Sequence, residues 1–254
     1  MNLKKDVNDL LQKELINSIP KLENNPIESS RHSFGIYNIF VINLKRRPER
    51  LLNIEKQFNK LNIKYKIFWG WDAKTLGDDL TDQELKLYYD NPWYSWTKDK
   101  DKILGRKGCT LSHIKCLNYA ILCKLDNILI IEDDVEFKTD LIPKIPDDAV
   151  LAYLGGYIIN KKKINLETKD DWILINNFLV YENTAIIIPT YEKICKVYNL
   201  VAKKGLCPRT IDGLFVNRVQ KTEKCYILNK KICKQNRKKF ESDITFMKKP
   251  KNII

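Results

Sequence analysis

Asn127-Ile-Leu-Ile-Ile-Glu-Asp-Asp-Val-Glu136 is the stretch whose reading decides the fold. Its apolar run, Ile128 to Ile131, leads directly into Glu132, Asp133 and Asp134. A run this short and this apolar reads as an interior strand covered on both faces. Three adjacent carboxylates at the end of a buried strand are costly unless a cation or the rim of a cleft accommodates them. In an extended chain Glu132 and Asp134 point to one side and Asp133 to the other. One divalent metal at the carboxyl end of a parallel strand would use that arrangement; the alternative is a solvated acidic loop after a core strand.

Upstream, Tyr37 to Leu44 reads as a strand and Arg46-Arg47-Pro48-Glu49-Arg50 follows, with Pro48 suited to the first turn of a helix. Leu51, Ile54, Phe58 and Leu61 keep one apolar face at helical spacing, and Ile63 to Trp69 reads as a second strand ending in Gly70-Trp71-Asp72-Ala73. Strand, helix, strand with this connection implies a right-handed crossover and a parallel pair. Asn43, Arg46, Arg47 and Asp72 then fall at the carboxyl edge of the sheet, where open α/β folds bind ligands. Asp78 to Asp101 is an excursion carrying Tyr88, Tyr89, Trp93, Tyr94 and Trp96, readable as a small core under a loop or as the lining of a sugar or nucleobase site. Thr81 and Glu84 fit a capping box within it.

Gly105 to Lys124 reads as a helix, with Leu111, Ile114, Leu117, Ile121 and Leu125 forming one stripe. Cys109, Cys116 and Cys123 recur every seven residues, about 10 Å apart at the helical rise, which is too far to share a metal. They read as small core residues. Ser112 and His113 lie in the same helix; His113 suits either a ligand contact or a buried structural role. Downstream, Val150 to Leu154 is a strand ending in Gly155-Gly156, where the chain turns sharply or approaches a ligand closely. Lys161 to Asp171 is a polar loop or hairpin. Ile173 to Tyr181 and Thr184 to Ile188 are strands, Tyr191 to Val201 a helix, Gly205 to Asp212 a loop into a helix over Gly213 to Val219, and Tyr226 to Leu228 a last strand.

The organisation expected is an amino-terminal helical extension or arm (1–35), a main domain (36–229) and a basic tail (230–254). At 254 residues, with 44% apolar and 30% charged side chains, the chain has ordinary globular composition. No apolar run reaches bilayer length, and Met1 to Leu11 has no signal-peptide apolar region. Seven cysteines without CxxC pairs argue for free thiols in a reducing compartment. The expected location is therefore cytoplasmic, or a virion or viral factory if the source is a large virus. The net charge of +13 favours anionic partners, phosphorylated small molecules or negatively charged surfaces, and so admits peripheral membrane contact. Abundant Lys, Asn and Ile together are also what an AT-rich genome writes, and no nucleic-acid-binding motif accompanies the charge.

Four motifs in order, Phe40-Val-Ile-Asn-Leu-Lys-Arg-Arg-Pro-Glu-Arg50, Gly108-Cys-Thr-Leu-Ser-His-Ile114, Ile130-Ile-Glu-Asp-Asp-Val135 and Pro208-Arg-Thr-Ile-Asp212, resemble glycosyltransferase family 25. That family includes lipopolysaccharide-biosynthesis galactosyltransferases and procollagen hydroxylysine galactosyltransferases. The resemblance implies an α/β, GT-A-like nucleotide-sugar fold with a central mostly parallel sheet flanked by helices. It further implies a UDP-hexose donor, manganese or magnesium, inversion at the anomeric carbon, and a glycan or hydroxylated acceptor. Carried onto this chain, it makes Glu132 and Asp134 metal ligands. It places Asn43, Leu44, Arg47, Arg50, Asp72, Ser112, His113 and Asp133 around the donor, and makes Asp212 the general base, with Asp133 and Asp171 as alternatives. A protein of the same fold that binds nucleotide sugars without transferring them is the competing expectation.

The chain has no histidine after His113. A third protein ligand for the metal would then be an aspartate, an asparagine or water, unless the donor diphosphate holds the ion. Nothing in the sequence supports collagen as the acceptor.

Overall fold

The computed structural model describes residues 38–61, 63–72, 100–139, 141–159, 166–176, 178–202, 210–237 and 239–240. The expected arm, the aromatic cluster between Tyr88 and Trp96, and most of the basic tail lie outside them. Twelve strands and four helices are described, beginning β1 (Asn38–Asn43), α1 (Pro48–Leu61), β2 (Lys66–Trp69), α2 (Lys100–Leu122) and β3 (Ile128–Glu132). Then come β4 (Val135–Phe137), β5 (Leu151–Tyr153), β6 (Tyr157–Ile159), β7 (Thr168–Lys169), β8 (Trp172–Leu174), β9 (Leu179–Tyr181) and β10 (Ala185–Ile188). The last described elements are α3 (Tyr191–Ala202), α4 (Ile211–Leu214) running into a π-helical stretch (Phe215–Val219), β11 (Cys225–Leu228) and β12 (Cys233–Gln235).

Eight strands form one sheet in the order β2-β1-β3-β10-β5-β11-β8-β7. The pairs β1–β2, β1–β3 and β5–β11 are parallel, and β10 and β8 run against their neighbours. Six of the eight strands therefore point the same way, which is the mostly parallel α/β arrangement expected. Alternation along the central strands splits the core into two layers. Phe40, Ile42, Ile128, Ile130, Ile186 and Ile188 face α2, α3 and α4. Ile39, Val41, Leu129, Ile131 and Ile187 face α1 with Ile54 and Phe58. The two-sided burial of Ile128–Ile131, each fully shielded, is why this strand carries no polar residue until Glu132.

Local chemistry sets the element ends. Pro48 opens α1 as expected. Helix α2 begins at Lys100 and stops where Lys124 takes a positive φ and Leu125 N–H donates to the Ala120 carbonyl. The predicted strand Ile173–Tyr181 is two strands: β8 stays in the main sheet, while β9 pairs with β6, because exposed Asn176 interrupts the apolar run. Part of the expected tail belongs to the fold. Strand β12 pairs antiparallel with β4, Cys233 and Phe240 are buried, and the composition of lysines around them had hidden this. Gly155 admits that strand: a Cβ there would sit 2.6 Å from the Cys233 carbonyl oxygen. Gly156 turns the chain at φ +117.

Candidate active site

The parallel register sets Ile42 beside Glu132 and Asn43 beside Trp69, so β1, β2 and β3 end together. A cleft opens at this edge. Its walls are Leu44 and Arg46 after β1, Arg50 in the first turn of α1, Trp71 and Asp72 after β2, Cys109, Ser112 and His113 on α2, Glu132 at the end of β3, and Asp133 and Asp134 just beyond it. Glu182, Asp212 and Gln235 complete it from the other side. Of the residues singled out in the sequence, Leu44, Arg50, Asp72, Ser112, His113, Glu132, Asp133, Asp134 and Asp212 all line this one cleft. Asn43 and Arg47 are not among the lining residues. Asn43 Nδ2 donates to Asp133 Oδ2 at 2.8 Å, and Arg47 Nε pairs with Glu49 at 2.6 Å.

The three carboxylates of the acidic stretch have separate roles. Strand β3 ends at Glu132, and Asp133 and Asp134 form a turn into β4. Asp133 is held structurally: Arg50 Nη1 donates to its Oδ1 at 2.9 Å and Asn43 holds its other oxygen. This ion pair is buried, with side-chain exposures of 9% and 8%. Asp134 is equally enclosed, yet its Oδ1 has no hydrogen-bond partner among the described residues. Burial, followed by the charge of Asp133, pushes its carboxyl up to about 6. Glu132 Oε2 accepts from Gln235 Nε2 at 2.6 Å, and its carboxyl is raised by burial and then by Asp134 and Asp212.

Across the cleft, Thr210 caps α4 by accepting from Gly213 N–H, which fixes the turn carrying Asp212. Asp212 Oδ1 accepts from Asn183 N–H at 3.1 Å. Burial, then the neighbouring Glu182, raises its carboxyl to about 6. Glu182 has a positive φ of 70 and pairs with Arg237 at 2.6 Å; Arg237 also donates twice to Gln235 Oε1. That fork fixes the Gln235 amide with its nitrogen toward Glu132.

On α2, Ser112 Oγ accepts from Trp71 N–H and donates to the Gly108 carbonyl, both at 2.7 Å, so it fixes the loop bearing Trp71 and Asp72. Asp72 pairs with Arg46 at 2.6 Å. His113 is 1% exposed, and burial lowers its imidazole to about 4, so it is neutral at ordinary pH. Its Nδ1 lies 3.0 Å from the Cys109 carbonyl, and its Nε2 lies 3.8 Å from Glu132 Oε1. Cys109 packs against the core, as the sequence reading had it, and also lines this cleft, where its Sγ, a His113 ring nitrogen and a Glu132 oxygen all lie within 4.8 Å of one another. Sequence reading missed Cys109, Glu182, Gln235 and Arg237. The Cys109–His113 spacing of one helical turn was an available signal for the first; the others carry none in sequence.

The fold and cleft define a GT-A-like α/β protein with a carboxylate-lined site at the ends of parallel strands. The chain belongs to glycosyltransferase family 25: the family described as "Glycosyltransferase family 25 (LPS biosynthesis protein)" matches residues 36–185. A glycosyltransferase 25 family member of Aedes aegypti is 26% identical over 179 residues, covering 67% of this chain and 27% of its own. Procollagen galactosyltransferase 2 of Homo sapiens is 29% identical over 142 residues, 54% of this chain and 22% of its own. A Mus musculus protein named inactive glycosyltransferase 25 family member 3 is 26% identical over 141 residues, 52% of this chain and 23% of its own. The chain thus spans about a quarter of the length of these curated relatives. No helix among the described residues is long and apolar enough to cross a membrane.

Proposed function

We propose that the cleft binds a UDP-hexose, carrying galactose or glucose, and transfers the sugar with inversion to a hydroxyl of a glycan or other hydroxylated acceptor. The observation that carries this reading is the convergence of Glu132, Asp134 and Asp212 on one cleft at the ends of parallel strands. The buried, unpartnered Oδ1 of Asp134 and the crowding that raises the Glu132 and Asp134 carboxyls fit a hard divalent cation, manganese or magnesium. Glu132 and Asp134 would hold it. Such an ion, when bound, supplies charge stabilisation for the diphosphate leaving group.

The remaining work falls to the chain's own side chains. Arg50 and Arg46 bring positive charge to the donor side of the cleft, where a diphosphate is favoured. Ser112 holds the Trp71-Asp72 loop at the same wall. Asp212 takes the proton of the acceptor hydroxyl as its oxygen bonds to the anomeric carbon and the bond to the diphosphate breaks. A carboxyl raised to about 6 is ionised at neutral pH and is a stronger base than an ordinary aspartate. The test is release of UDP from a panel of UDP-hexoses with manganese. Manganese-dependent release from at least one donor is expected, and none from any donor would sink the reading.

A second reading, nucleotide-sugar binding without transfer, draws support from the similarity to the mouse protein named inactive. UDP binding with no transfer in the presence of a competent acceptor would select it.

A further inference from the structure

We propose that Cys109, His113 and Glu132 form a site for a thiophilic divalent cation, zinc or cobalt, distinct from the hard-cation position on Asp134 and exclusive with it. The three donors come from two elements whose relative position is fixed. Cys109 and His113 are one turn apart on α2, so their side chains lie over the same face. Glu132 is the last residue of β3. Cys109 Sγ lies 4.0 Å and His113 Nε2 3.8 Å from the same oxygen, Glu132 Oε1. Zinc bonds of about 2.0–2.3 Å to sulfur, nitrogen and oxygen set ligand-to-ligand separations of about 3.3–3.8 Å in a tetrahedron. Both separations to Oε1 are therefore within a few tenths of an ångström of that range. With Sγ, a His113 ring nitrogen and a Glu132 oxygen all within 4.8 Å of one another, side-chain rotation brings the three donors together.

The imidazole is prepared for this. At 1% exposure, its Nε2 has no hydrogen-bond partner among the described residues and is aimed at Glu132. With its proton on Nδ1, directed at the Cys109 carbonyl at 3.0 Å, Nε2 presents a lone pair. A ligating histidine ordinarily has its second nitrogen tied to a carbonyl or carboxylate in this way. Gln235 holds the other Glu132 oxygen, leaving Oε1 for the metal. The cleft, which all three residues line, supplies the open fourth position. On binding, the Cys109 S–H proton leaves to solvent as the sulfur–metal bond forms.

The donor set makes the selection. A thiolate and an imidazole favour zinc and cobalt over magnesium and manganese, which prefer all-oxygen shells. Because Glu132 is shared with the hard-cation position, a thiophilic ion here draws that carboxylate away from Asp134. The binding prediction stands whether or not the protein transfers sugar, and only the exclusion rests on the proposed function.

The experiment is a cobalt titration of the full chain, followed by absorption, with zinc back-titration. The expected result is a thiolate-to-cobalt charge-transfer band with tetrahedral d–d absorption, removed stoichiometrically by zinc. Cys109→Ser should abolish the charge-transfer band and weaken zinc binding at least 10-fold, a ligand loss being no milder than loss of an outer partner. His113→Gln should weaken zinc comparably, and Asp134→Asn should keep the band; circular dichroism confirms that each variant folds. Cobalt bound with no charge-transfer band, or zinc affinity unchanged in folded Cys109→Ser and His113→Gln, would overturn the site. Free manganese, followed by its paramagnetic resonance signal, should rise as zinc is added. Simultaneous binding of both ions would refute the exclusion while leaving the band result to judge the site.

Discussion

Removing the cation from the acidic cleft should make the protein less stable as pH rises through the weakly acidic range, against the usual carboxylate trend. Asp134 is 7% exposed and its carboxyl is raised from 3.8 to about 6, chiefly by burial. A folded-state value above the unfolded one means that the folded protein binds the proton more tightly between the two. Stability is therefore full below about pH 4 for this group and is lost as pH climbs through about 6. At about 1.4 kcal/mol for each pH unit, the rise corresponds to about 3 kcal/mol from Asp134 alone. Asp212 and Glu132 act in the same direction. Urea denaturation of chelator-treated protein between pH 5 and 7.5, repeated with Asp134→Asn, reads this out. Within this window Asp134 gives up only the part of its contribution that lies above pH 5, about 1.4 kcal/mol, and Asp212 a similar amount. The parent should therefore lose about 3 kcal/mol or more, Asp134→Asn should flatten the slope by about 1.4 kcal/mol, and saturating manganese should restore stability at pH 7.5. A parent profile that is flat or rises with pH, or a slope unaltered in Asp134→Asn, would refute the reasoning.

Other consequences follow from single contacts. The enclosed Arg50–Asp133 pair should behave as a unit: Arg50→Met or Asp133→Asn alone should cost about 3–5 kcal/mol in denaturant unfolding, with the double variant costing much less than the sum; additive losses would show the two to be independent. Gly155→Ala should destabilise by about 1–3 kcal/mol, because its Cβ collides with the Cys233 carbonyl, and thermal unfolding should show it. Asp212→Asn should reduce transfer by about 10²–10⁴-fold while leaving UDP affinity within a few-fold, as expected of a proton acceptor away from the nucleotide; a matching loss of UDP binding would move Asp212 to the donor side.

How much of this was legible in the sequence depended on the range of the signal. Ile128–Ile131 announced a covered strand because only apolar side chains survive burial on both faces, and Pro48 marked a helix start because its own ring sets the backbone. Both are local effects. The role of Asp133 was not local: alternation along an extended chain would send it away from its neighbours, but the turn beginning there instead ties it to Arg50 and Asn43, residues 83 and 90 positions distant. Cys109 was assigned to the core by a seven-residue period, although an α-helix places every such position on a slowly drifting stripe whose ends meet different neighbours. Cys116 is buried in the core, while Cys109 packs at the core's edge and also lines the cleft. Gln235 was hidden by lysine-rich surroundings, and only the pairing of β12 with β4 brings it to Glu132.

The central claim is that Asp134 and a divalent cation together make the diphosphate site. Calorimetric titration with UDP, with and without manganese, on the parent chain and on Asp134→Ala tests it most directly. UDP should bind the parent far more tightly with manganese than without it, and Asp134→Ala should erase that difference. UDP affinity indifferent to both manganese and the substitution would contradict the account.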